Sequence, residues 1–193
     1  MTDETQPEAF ARAVESLTSL EFREELSVRR IDSPNGVAPY SFALAADVLL
    51  AENEHESQHG TGRFILLYDP AEPESWGGAF RVVAFAQAPL EAEIGLDPFL
   101  AKVTWSWLID ALETRQADYF NASGTATRIL STGFGELAVA GEGAQIELRA
   151  SWSPASPEMA DQADAWGELL CMLAGLPPTS DAVSLTARRR ERG

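Results

Sequence analysis

Residues 40–50 read Tyr-Ser-Phe-Ala-Leu-Ala-Ala-Asp-Val-Leu-Leu, and this stretch decides the fold class. Phe42, Leu44, Ala46, Val48 and Leu50 share one face at a period of two, while Ser41 and Asp47 fall on the other. That is the pattern of a strand with one face on a core and one toward water. Two runs of the same kind follow. In the first, Phe64, Leu66 and Tyr68 alternate with Arg63, Ile65 and Leu67; the second runs from Phe80 to Phe85, with Val82 and Val83 pointing opposite ways. The connections are too short for crossover helices, so neighbouring strands are expected to be antiparallel.

Toward the N-terminus, Leu26 and Val28 mark a short strand that stops at the turn signal Ser33-Pro34-Asn35-Gly36. Before it Pro7, whose missing N–H costs nothing at a first helical position, opens a helix with Phe10, Val14 and Leu17 on one face. Toward the C-terminus, Asp97-Pro98 opens a second helix. Its stripe is Leu100, Val103, Trp107, Ala111 and Leu112, widened by Trp105 and Ile109. Strands near 125–130 and 145–152 come next. In the latter Ile146, Leu148, Ala150 and Trp152 face inward, and Gln145, Glu147, Arg149 and Ser151 outward.

Ser156-Pro157 starts the last helix, with Met159, Ala163, Trp166, Leu170 and Leu173 on its stripe. Gly175, Pro177 and Pro178 stop it. The expected class is α+β: a single, mostly antiparallel sheet of about six strands with three helices, in the order α-β-β-β-β-α-β-β-α, packed mainly on one face. Residues 1–178 are read as one domain and 179–193 as a flexible tail carrying Arg188, Arg189, Arg190 and Arg192.

The chain has 193 residues and a net charge of −16. A body this acidic repels phosphate backbones and anionic bilayers, so the sequence disfavours nucleic acid as a partner of the body and leaves it open for the arginine tail. No run approaches the roughly 18 apolar residues of a membrane span. The acidic N-terminus lacks an apolar leader, which points to the cytoplasm. Cys171, the only cysteine, lies between Leu170 and Met172 on the last helix and reads as a small core residue.

His55-Glu56-Ser57-Gln58-His59 matches the H-E-x-x-H pattern, in which two histidines one helical turn apart bind zinc and the glutamate activates a water. Its surroundings, Ala51-Glu52-Asn53-Glu54 and Gly60-Thr61-Gly62, give no apolar stripe to seat a helix, and it falls between two strands. A polar connection is therefore the favoured reading, with a metal-dependent hydrolase using His55, Glu56 and His59 as the alternative. The glycine pairs Gly133/Gly135 and Gly141/Gly143 read as hairpin turns, because neither links a strand to a following helix. No cofactor is implied.

Several blocks together resemble an uncharacterised actinobacterial family, the "DUF-three-thousand" family. They are Ala38-Pro39-Tyr40, Thr61-Gly62-Arg63-Phe64 with Tyr68-Asp69-Pro70, Trp76 with Phe80-Arg81-Val82-Val83, Trp105-Ser106-Trp107-Leu108 and Ala122-Ser123-Gly124-Thr125. Arg149-Ala150-Ser151-Trp152 and Ala165-Trp166-Gly167-Glu168 through Leu176-Pro177-Pro178 complete the set. The resemblance implies no activity, substrate or catalytic residue. The order of elements is also similar to bacterial chaperone-like folds, many of them dimers.

The sequence thus favours a non-enzymatic binding or adaptor module with a protein partner or as a homodimer, and a small-molecule binder stands beside it. The binding candidates are Trp76, in a glycine-flanked loop, and the strand arginines Arg81, Arg128 and Arg149. No catalytic residue is assigned.

Overall fold

The structure, a computed structural model, describes residues 6–51 and 58–179. The elements are α1 (Glu8–Thr18), β1 (Leu26–Ile31), β2 (Tyr40–Val48), β3 (Thr61–Tyr68) and β4 (Phe80–Leu90), followed by α2 (Ala92–Gly95) and α3 (Leu100–Thr114). Then come β5 (Tyr119–Thr132), a short 3-10 helix (Gly135–Ala140), β6 (Glu142–Pro154) and α4 (Ala160–Leu173). The strands form one six-stranded sheet in the order β1-β2-β3-β4-β6-β5, antiparallel throughout. This is the α+β class that the alternation in residues 40–50 announced.

The period-two faces become one core. Phe42, Phe64, Val82, Ile146, Leu148 and Trp152 project from one side of the sheet and are fully or almost fully buried. Fully burying one large apolar side chain stabilises a fold by about 1.5–3 kcal/mol, so this face dominates the energetics. Trp166 and Leu170 of α4, and Phe10 and Leu17 of α1, close it from above. Gly62 shows how tightly α4 sits. A Cβ there would lie 2.8 Å from Leu170 Cδ2 and 2.7 Å from the Phe85 carbonyl oxygen, so the strand can pass under the helix only as glycine.

Helix α4 ends as its sequence requires. Gly175 takes φ +85°, its N–H donates to the Met172 carbonyl, and the Leu176 N–H reaches back to the Cys171 carbonyl. That is a Schellman stop.

Three expectations need correction. The described chain has five helices rather than three, because α2 is one turn and the 3-10 helix about two, too short to show a hydrophobic period. In α3 the buried set is Leu100, Thr104, Leu108, Ala111 and Leu112. Val103 is exposed and Trp107 half-buried, because α3 covers the edge of the sheet and turns a wider face to solvent. Leu50 lies beyond the end of β2 and is exposed, so the apolar face ends at Val48.

Buried polar groups are paired. The Trp152 Nε1–H donates to Gln162 Oε1 and the Gln162 amide to the Asp118 carbonyl. Glu168, 3% exposed, receives hydrogen bonds from Arg23, Arg115 and both donors of Thr179. This fastens α4 to the segment before β1, to the end of α3 and to the last described residue.

Candidate functional site: the open face of the sheet

The helices pack on one side of the sheet, and the other side carries a separate pattern set by strand register. Arg29 pairs with Ala45, Ala45 with Arg63, Arg63 with Phe85, and Phe85 with Arg149. One cross-strand row on the open face therefore holds three guanidinium groups and a phenyl ring. The adjacent row is apolar, with Ile31, Ala43, Ile65 and Val83 in register. The row on the other side is polar, with Asp47, Thr61, Gln87 and Glu147.

A groove of about 530 Å³ runs over this surface, lined by Arg63, Ile65, Val83, Phe85, Gln87 and Arg149 among others. Arg63 and Arg149 are separated by one strand, about 10 Å between Cα positions. Arg149 stands over the Phe85 ring at 5.8 Å from its centroid and donates through Nε to Glu147 Oε1 at 2.7 Å. Arg29 is paired with Asp47 at 2.5 Å. Arg63 is exposed and makes no ion pair with any described residue. In a chain of net charge −16 this is a basic, half-apolar patch on an acidic protein.

At one end of this face the β3–β4 connection is tied down. The Arg81 guanidinium donates to Ser151 Oγ at 2.6 Å, to Ser153 Oγ at 3.0 Å and to the Asn121 carbonyl at 3.0 Å. Burial pushes its pKa down from the usual arginine range. Ser153 Oγ and the Asn121 amide in turn donate to the Trp76 carbonyl. The structure therefore brings Trp76 and Arg81 into one network and sets Arg149 in the groove on the same face. Arg128 is not part of it. Its partner across the ladder is Ile146, a core residue, and it donates to the Asp97 carbonyl at 2.7 Å on the helix side.

His55 and Glu56 lie outside the described residues. His59 is half-buried just before β3 and lines a groove with Gln58, Leu90, Glu91 and Leu173. Among the described residues no three His, Cys, Asp or Glu side chains are grouped to hold a metal. The Arg188–Arg192 tail also lies outside them. No helix of the described residues is long and apolar enough to cross a membrane.

Cys171 is fully buried on α4. Arg23 approaches and favours the thiolate. Burial outweighs that attraction and pushes the thiol up to about 12. Native protein is therefore expected to resist iodoacetamide at pH 8 and to alkylate fully once unfolded, which intact-mass measurement before and after urea would read.

A model of the family described as "Protein of unknown function (DUF3000)" matches residues 6–183. The chain belongs to the DUF3000 family. No curated protein and no solved structure matches it. The matched region takes in every described strand and helix of this DUF3000 protein, including the whole open face.

Sequence reading missed Arg63 and Phe85 as site residues. The signal was present in β3, where Arg63, Ile65 and Leu67 share a face that is basic and apolar rather than merely polar.

Proposed function

We propose that this DUF3000 protein is a cytoplasmic binding module without catalytic machinery, and that the open sheet face holds an acidic, partly apolar segment of a partner protein. The observation that carries this reading is the row Arg63–Phe85–Arg149 beside Ile65 and Val83, roofless and basic on an acidic chain. Guanidinium groups take carboxylates in bidentate geometry, and the ring and branched side chains take the apolar residues between them. Trp76 and Arg81 are tied together through Ser153 at one end of the same face.

The measurement is fluorescence anisotropy with a labelled peptide alternating Glu with Leu and Phe, against the same peptide carrying Lys for Glu. The acidic peptide should bind and the basic one should not, with affinity falling as salt is raised. Arg63→Ala and Arg149→Ala should each weaken binding by about 1–2 kcal/mol, roughly 5- to 30-fold. Trp76→Ala keeps the carbonyl that Ser153 and Asn121 use, so it should weaken binding without unfolding the protein. Equal binding of both peptides, or indifference to Arg63→Ala and Arg149→Ala, would sink the reading.

The groove volume supports a second reading. About 530 Å³ is within the ~300–1,000 Å³ range of small-ligand sites, so an organic anion could use the same arginines. A small anion that competes with the peptide, or that copurifies with the protein, would favour it.

A further inference from the structure

The far end of the β5–β6 hairpin carries a surface of opposite character. Leu96 and Phe99 are each 64% exposed, Leu130 55%, Phe134 79%, Leu137 72% and Val139 97%. Their grouping follows from backbone packing. Gly95 presses so closely on the hairpin that a Cβ would come within 2.3 Å of Ala144 Cβ and 3.1 Å of Leu130 Cδ2. The Arg128 guanidinium donates to the Asp97 carbonyl, which holds the α2–α3 turn on β5. Leu96 and Phe99 therefore flank the base of the hairpin at Leu130, and the tip begins a few residues on.

The tip is itself built. Gly133 N–H donates to the Gly141 carbonyl, Leu137 N–H to Phe134, and Gly141 N–H to Ala138. Gly135 and Gly141 supply the positive φ angles that the tight turn needs. A turn of this kind works with polar side chains, yet Phe134, Leu137 and Val139 point outward. Grouped exposure of this extent marks an interaction site rather than scattered surface apolarity. Along the same elements stand five exposed carboxylates, Glu91, Glu93, Asp97, Glu136 and Glu142, against two exposed cations, Lys102 and Arg128, so the rim is acidic on balance.

We infer that this platform docks a partner protein whose contact is an apolar helix stripe flanked by lysine and arginine. Charge decides the occupant. A two-fold contact between copies of this chain would set the acidic rim against itself in a protein of net charge −16. An anionic bilayer would be repelled in the same way. The platform and the basic sheet face thus select partners of opposite charge, which makes the protein a two-sided adaptor. The inference stands on residues that the sheet-face reading does not use.

The test uses the full chain and a labelled synthetic helix with Leu at i, i+3, i+4 and i+7, flanked either by Lys and Arg or by Glu. Anisotropy should show binding of the basic-flanked helix and none of the acidic-flanked one. The double variant Phe134→Ser/Leu137→Ser alters only exposed side chains, so its circular-dichroism melt should be unchanged while binding falls at least tenfold. Glu136→Lys should weaken the same helix, whereas Arg63→Ala should not. Absence of binding, equal binding of both helices, or unchanged affinity in the double variant would overturn the inference. So would sedimentation showing a native dimer that the double variant dissolves, since that would assign the surface to self-association.

Discussion

Replacing Glu168 with alanine is expected to destabilise the protein by about 3 kcal/mol, because it removes the buried carboxylate that two guanidinium groups share. Arg115 Nη2 donates to Glu168 Oε2 at 2.7 Å and Arg23 Nη1 to Glu168 Oε1 at 3.2 Å. Arg115 keeps its pairing with Asp164, and Arg23 keeps Glu25. The loss should therefore fall at the lower end of the range for a broken buried pair. For a chain of this size it corresponds to a fall in Tm of roughly 6–12 °C. Differential scanning calorimetry of Glu168→Ala would measure it, and a shift under about 2 °C would mean that the hub is energetically idle.

The same carboxylate gives a pH signature. Burial alone would push its pKa up, but the hydrogen bonds from Thr179 and the charges of Arg115 and Arg23 together hold it below the usual range. A carboxyl lowered in the folded state contributes stability that is fully present above its unfolded pKa, about 4.3, and is lost as pH falls through the folded value. Glu168→Gln should therefore be less stable at neutral pH and show a shallower loss of stability below about pH 4.5 than the native protein.

Trp166→Ala should be at least as damaging, by about 3–5 kcal/mol. The side chain is fully buried, its ring lies 5.7 Å from that of Phe64, and Phe22 meets it edge-on at 6.3 Å. Its Nε1–H donates to the Phe85 carbonyl at 3.0 Å. Alanine would leave a cavity between α4 and β3 and remove a tie to β4, the strand whose opposite side presents Phe85 to the groove. Urea unfolding should register the lost stability, and the acidic-peptide titration should register looser binding in the population that stays folded. A variant that melts like the native protein would show that the site collapses freely around the missing ring.

What could be read from the sequence followed from burial on one side. Residues 40–48 and 145–152 alternate because a core takes every second side chain, so those strands and their inward faces were legible. One or two helical turns offer no such repeat, which is why α2 and the 3-10 helix escaped notice. The arginines show the limit more sharply. Arg128 and Arg149 look equivalent as strand residues, but Thr125-Ala126-Thr127-Arg128 alternates too weakly to reveal its phase. Only the register puts Arg128 beside Ile146 on the helix side and Arg149 beside Phe85 on the open side. The row from Arg29 to Arg149 crosses five strands, and no reading of one strand at a time could assemble it.

The strand order also bears on how the chain is made. Strands β1 to β4 pair with their sequence neighbours, so they can zip up as soon as they leave the ribosome. The next seam, β4 with β6, joins Leu90 to Ala144 and must wait for α3 and β5 to be synthesised in between. The lid over Phe42, Phe64 and Val82 comes later still, because α4 is the final element of the described chain. For most of translation a nascent sheet would show its greasiest side and an unpaired β4 edge to solvent. That interval, rather than any weakness of the finished molecule, is where this protein is most exposed to misassembly.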